Sequence, residues 1–327
     1  MKEIGGYFGL ETLKSNEYYK DLIPLNSGRN ALLYLMKAKN IEKIYIPYYL
    51  CDSVSDMLDR NGYSFEYYKI DYSFRPSFNK SLDQNEYLYI VNYYGQLTNN
   101  DIAVLAENYG QVVIDNTQSF FQQPLEGIDT IYSCRKFFGV PDGAYLSTNT
   151  KVIEDLSVDI SFNRMTHLLG RFEENASRYY DSFKDTDEKF KNEPLKAMSK
   201  LTHNILGAID YGRVINVRNE NYSYLDNHLK AKNKLNIKPP NAPFSYPFYI
   251  DSDVEIRKKL AEKKIYLPTL WPNVLEDKNK ESIEYKYTAN ILPLPCDQRY
   301  GINDMKKIIS EVLSYILRKT KTGHLSI

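Results

Sequence analysis

Cysteine is scarce: Cys51, Cys134 and Cys296 are the three present in 327 residues. An odd number so widely spaced argues against a disulfide scaffold and suits a reduced, cytoplasmic setting. No metal-ligand spacing links them, so no metal site is expected. No apolar run approaches the roughly 20 residues of a membrane-spanning helix. The N-terminus, Met1-Lys2-Glu3-Ile4-Gly5-Gly6, carries charge and glycine where a secretion signal needs an apolar stretch. An excess of either charge is missing too, because 42 Lys and Arg balance 42 Asp and Glu. That balance argues against nucleic acid or an anionic membrane as the principal partner, yet leaves room for a local basic pocket that holds a phosphate-bearing small molecule. A soluble cytoplasmic protein is expected, long enough for more than one domain.

What is present is an alternation of strand and helix signals. Short β-branched or aromatic runs at Ile44–Ile46, Phe65–Ile70, Tyr87–Val91 and Val112–Ile114 read as strands. Between them, Leu32, Leu35 and Met36 recur at helical spacing behind the capping candidates Asn26 and Ser27. A second helix is expected through Met57 and Leu58, and a third around Ile102 to Ala106. This is the rhythm of βαβ units, so the fold class is α/β, with a mostly parallel central sheet flanked by helices. After Leu146 the pattern changes. Residues 151–200 are densely charged and read as an exposed helical connection at the end of a large domain, 1–200. Residues 201–327 read as a smaller α+β domain. It would hold a long helix from Leu201 to near Leu229, a linker at 235–243, a strand at Phe248–Ile250, a helix at 254–263, an apolar stretch at Ile291–Leu294 and an amphipathic helix at Asp304–Leu317. The basic tail from Arg318 is expected to fray.

Candidate chemistry concentrates between Val112 and Leu146. Asp115 stands where a buried strand should end, and in open α/β sheets ligands bind beyond the carboxyl ends of strands. A second strand, Thr130–Tyr132, releases into Ser133, Cys134, Arg135 and Lys136. Lysine beside Phe137 and Phe138 could have its basicity lowered enough to act as an amine nucleophile. Upstream, Ser27, Gly28 and Arg29 form a small-residue turn before a helix, which offers backbone N–H groups and a dipole end to a phosphate. Each feature also has a plainer reading: a surface lysine, a turn-capping Asp115, a packed Gln118, an Arg135 that pairs with an acid, and an ordinary capped helix. The four histidines read as structural or exposed, and Trp271-Pro272 as a packed loop.

Asp115-Asn116-Thr117-Gln118, followed by Ser133-Cys134-Arg135-Lys136, Gly139 and Asp142-Gly143-Ala144, resembles the corresponding run of the DegT/StrS-type sugar aminotransferases. Those are pyridoxal phosphate enzymes of the aspartate aminotransferase superfamily, fold type I. The turn Ser27-Gly28-Arg29-Asn30-Ala31-Leu32 resembles the family's phosphate-side helix, and Val91-Asn92-Tyr93-Tyr94-Gly95-Gln96 its strand-end Gly-Gln element. Leu294-Pro295-Cys296-Asp297-Gln298-Arg299-Tyr300 is similar to its Leu-Pro approach to the last helix. Departures are a spacing from serine to lysine shorter by about two residues than the family's, one glycine (Gly143) in place of two, and Cys51 where an aromatic usually covers the cofactor ring. Asn163 is a rough counterpart of an asparagine contributed by the partner subunit.

The resemblance implies pyridoxal 5'-phosphate as cofactor, with Lys136 as its covalent anchor and proton carrier. Asp115 would pair with the ring nitrogen, and Gln118 would meet the ring hydroxyl or pack beneath the ring. Ser133 and the backbone of Ser27, Gly28 and Arg29 would hold the phosphate. It further implies a homodimer that moves an amino group from glutamate to a nucleotide-linked keto-sugar, in surface polysaccharide or glycoconjugate synthesis. A sugar dehydratase of the same fold stays open, although those relatives carry histidine in place of Lys136. So does a vestigial protein that keeps the fold for binding or regulation.

Overall fold

The computed structural model describes residue 4 and residues 6–150, 155–250, 255–277 and 279–321. Its strands are β1 (Ile23–Leu25), β2 (Lys43–Pro47), β3 (Ser64–Ile70), β4 (Pro76–Ser77), β5 (Glu86–Val91), β6 (Val112–Asp115), β7 (Asp129–Ser133), β8 (Ala144–Ser147), β9 (Tyr246–Tyr249) and β10 (Ile291–Leu294). Its α-helices are α1 (Gly28–Lys39), α2 (Asp52–Arg60), α3 (Asn99–Tyr109), α4 (Thr166–Glu173), α5 (Tyr180–Lys191), α6 (Lys200–Leu206), α7 (Tyr211–Leu229), α8 (Glu255–Glu262), α9 (Ile283–Asn290) and α10 (Ile302–Lys321). Eight strands form one sheet in the order β1-β8-β7-β6-β5-β2-β3-β4. The neighbours from β7 through β3 are parallel, whereas β1, β8 and β4 pair antiparallel at the margins.

The central strands are buried on both faces, which is why they read as continuous apolar runs. Val91, Asp115 and Ile131 lie in register across β5, β6 and β7, so these three strands end at one edge. The expected parallel sheet is thus present, but its antiparallel margin was not foreseen. β1 and β8 are only three and four residues long, and β1 contains Pro24, which is tolerated at an edge.

Two further buried clusters complete the core. One joins β9 and β10 to α7, α8 and α10, with Phe248, Leu292, Met305 and Val312 inside it. The other brings Phe120, Phe121, Tyr132, Phe137 and Phe138 against Leu206, Tyr211 and Val214. The single long helix expected from Leu201 is two helices, because Asp210 caps α7 by accepting the Arg213 N–H. The terminal helix runs on to Lys321, past the point where fraying was expected; residues 322–327 lie outside the described residues. No described helix is long and apolar enough to cross a membrane.

The segment around residues 11–17 straps α6. Leu13 N–H donates to Asn204 Oδ1 at 2.7 Å, and Asn16 N–H to the Gly207 carbonyl at 3.2 Å. Glu17 accepts from the Tyr145 hydroxyl and faces His203 Nδ1 at 2.7 Å. The hydrogen bond to Glu17 raises His203 above 6.5 against the opposing effect of burial. Burial alone would raise Glu17, but its bonds to His203 and Tyr145 outweigh that and hold it below 4.5. The His203 contribution is therefore complete below 6.5 and fades as pH climbs through the raised value. That of Glu17 is complete above 4.5 and is lost as pH falls through the lowered one. Hydrogen exchange over residues 11–17, corrected for intrinsic rates, is expected to be faster at about pH 8.5 than at about pH 6. His203→Gln is expected to remove that difference.

Candidate active site

Asp115 closes β6 with its carboxylate pinned on both sides. Oδ1 accepts the Thr117 N–H at 2.8 Å, a short turn over the strand end, and Oδ2 accepts the Tyr89 hydroxyl at 2.7 Å. Burial first, and the Asp115 charge second, drive the Tyr89 hydroxyl far above its ordinary range, so it stays a donor. Tyr89 in turn is held from behind by the Tyr68 hydroxyl, which donates to its carbonyl at 2.7 Å.

Thr117 is the meeting point. Lys136 Nζ donates to Thr117 Oγ1 at 3.0 Å, so the amine and the carboxylate are joined through one threonine. Lys136 itself is exposed, whereas Phe137 and Phe138 turn inward to Phe120 and Phe121. The apolar surroundings expected from those two phenylalanines are therefore not around the lysine, because the turn sends both rings inward and the lysine outward.

The N-terminus of α1 lies against the same threonine. A Cβ added to Gly28 would come within 3.4 Å of Thr117 Cγ2 and 3.8 Å of Ile131 Cγ2. Ser27 is the N-cap, its Oγ accepting the Asn30 N–H at 3.3 Å, which leaves the first N–H groups of the helix without intrahelical partners. Ser133 ends β7 two residues after Ile131 and so shares its face of the sheet. The Arg29 side chain leaves this group. Its guanidinium donates to the Phe190 carbonyl and lies 5.4 Å from the Phe190 ring centre, so Arg29 offers the site its backbone.

The lysine turn and the α1 turn are tied through backbone. Cys134 N–H donates to the Gly143 carbonyl at 3.0 Å, and Gly143 N–H to the Asn26 carbonyl at 2.8 Å. Gly143 adopts φ 115°, and a Cβ there would meet Thr202 Cγ2 at 3.0 Å, so only glycine suits the crossing. Gln118 is buried, and its Oε1 accepts the Tyr94 N–H at 2.7 Å, fastening a turn in which Tyr94 has φ 54°. Tyr49 packs edge-on to Trp271 at 4.3 Å, and Tyr48 edge-on to Tyr67 at 5.6 Å. Cys51 caps α2 with its thiol toward Asp52. Arg135 pairs with Asp187 of the same chain at 3.1 Å.

No protein-family model matches the sequence, and no curated protein matches it. Solved structures do. NtdA from Bacillus subtilis, with bound cofactor PMP, superposes with a TM-score of 0.63 at 14% identity over 91% of this chain and 73% of its own. A DegT DnrJ EryC1 StrS aminotransferase from Brucella abortus gives 0.60 at 14% identity, covering 90% and 86%. Helicobacter pylori PseC, an aminotransferase involved in the biosynthesis of pseudoaminic acid, gives 0.59 at 15%, covering 90% and 86%. The chain has the fold of these aminotransferases. Two residues of the candidate site in this fold were not singled out from sequence: Thr117, which joins Lys136 to Asp115, and Tyr89. A hydroxyl two residues beyond a strand-end aspartate was a readable signal for the first. Nothing separated Tyr89 from Tyr87, the other tyrosine of β5, because the two share one face of the strand.

Proposed function

We propose that the protein is a pyridoxal phosphate-dependent aminotransferase that moves an amino group, with glutamate as donor, to a nucleotide-linked keto-sugar. The observation that carries this reading is the convergence of Lys136 and Asp115 on Thr117 beside the N-terminus of α1. The residues suit the cofactor: a doubly supported carboxylate for a ring nitrogen, an accessible amine, and unpartnered N–H groups for a phosphate. When bound, the cofactor would supply an electron sink for chemistry at the donor's α-carbon. Lys136 anchors it and carries the proton between donor and cofactor; Asp115 keeps the ring nitrogen protonated; Ser133 and the backbone of Ser27, Gly28 and Arg29 hold the phosphate.

Exposed apolar side chains support a homodimer. Ile160 is 70% exposed, Phe162 72% and Phe172 89%, with Asn163 next to Phe162 in the chain, and light scattering tests the assembly. The central test is spectroscopic. Protein mixed with pyridoxal phosphate is expected to gain a visible absorption band that borohydride removes, with the reduced adduct mapped to Lys136 by mass spectrometry. Glutamate and a panel of keto-sugar nucleotides should then yield 2-oxoglutarate. A protein that takes up no cofactor overturns the reading. Thr117→Val keeps the shape but removes the Oγ1 acceptor and is expected to slow turnover about tenfold or more, measured as kcat.

A further inference from the structure

Directly after Lys136, the Phe137 carbonyl is gripped from the C-terminal part of the chain. Gln298 Nε2 donates to it at 2.7 Å and Arg218 Nη2 at 3.2 Å. The two donors are themselves joined, since Arg218 Nε donates to Gln298 Oε1 at 2.7 Å. Arg218 Nη1 donates to the Pro243 carbonyl at 2.7 Å, and the guanidinium lies 4.5 Å from the Phe137 ring centre. Four segments therefore meet at one guanidinium: α7, the stretch before β9, the loop after β10, and the lysine turn.

Arg218 is 1% exposed, and among the described residues no carboxylate lies within ion-pair distance of it. Burial pushes it down to about 10. A buried arginine satisfied by two carbonyls and an amide is an expensive way to fill space, because a packed apolar side chain would avoid the desolvation. What the guanidinium provides instead is a rigid fork of donors with fixed angles between its partners. One of those partners is the carbonyl of Phe137, the residue that follows Lys136.

We infer that Arg218 and Gln298 are positioning residues for Lys136, setting the geometry of its turn from the C-terminal part of the chain. The inference rests on Lys136 being the cofactor-anchoring lysine. Gln298 reaches both the arginine and the carbonyl, so one substitution separates its two roles. Gln298→Glu keeps an acceptor for Arg218 but turns the donor to Phe137 into a second oxygen facing the carbonyl. Arg218→Met removes the fork outright and carries a greater risk of unfolding than Gln298→Glu.

The experiment measures the rate at which pyridoxal phosphate becomes fixable to Lys136 by borohydride, quantified by mass spectrometry as a function of pH, with Tm recorded for each protein. Gln298→Glu is expected to slow fixation about tenfold and to shift its pH profile, with Tm lowered but the protein folded. Folded Arg218→Met should do the same or more. Wild-type rates and an unshifted profile in Gln298→Glu overturn the inference even if Tm falls, because a purely structural contact would lower Tm alone. If the wild-type protein itself shows no fixation at Lys136, the aminotransferase reading fails instead.

Discussion

Lys136→Ala is expected to abolish turnover, lowering kcat by about ten-thousand-fold or more. The side chain would serve twice, as covalent anchor and as proton carrier, so no other group compensates for its loss. Its removal should leave the fold intact. Lys136 is exposed, and its amine is bonded to Thr117 Oγ1, a contact whose loss falls within the small range of surface substitutions. A thermal melt close to wild type, with no visible band on addition of pyridoxal phosphate and no 2-oxoglutarate from glutamate, is the expected set of results. Retained turnover in Lys136→Ala would remove the lysine from the mechanism.

Asp115→Asn is expected to lower activity by roughly a hundred- to a thousand-fold, the scale of losing one partner of a buried charge pair. Asparagine has the same shape. The side-chain oxygen still accepts the Thr117 N–H, and the amide nitrogen donates to the Tyr89 hydroxyl oxygen. The buried Tyr89 O–H loses its acceptor, so stability should fall by about 1–3 kcal/mol, while in the proposed mechanism the ring nitrogen loses the charge that keeps it protonated. Steady-state kinetics alongside a denaturant melt distinguish the two effects. Near wild-type kcat would reduce Asp115 to a strand-end cap.

How much of this was readable depended on which residues carry their own signal. β2, β5 and β6 announce themselves as apolar runs, and Ser27 announces a helix start, because burial and capping act through local residue types. The antiparallel margin of β1 and β8 does not, since three residues with a proline become a strand only through their partner. Gly207 and Asp210 between α6 and α7 were legible stop and start signals, yet the apolar spacing ran across them. At the site, Asp115 and Lys136 stood out by residue type and by family resemblance. Their link through Thr117, and the grip of Arg218 on the lysine turn, are contacts across the chain that no local pattern encodes. The environment of Lys136 misled for a related reason: proximity to Phe137 and Phe138 in sequence says nothing about which way a turn directs each side chain.

The bonds that run from Cys134 through Gly143 to Asn26 have a metric consequence. They make a caliper whose jaws are two backbone turns, the α1 turn at Ser27 and the turn that carries Lys136. Both jaws are fixed to the sheet, one beside β1 and the other after β7, so the opening widens only by breaking backbone hydrogen bonds. Under the proposed function, a ligand that reaches both would need a matching length between its anionic end and its reactive carbon. In the proposed site, ligand span would then be limited by this backbone separation together with the reach of the Lys136 side chain.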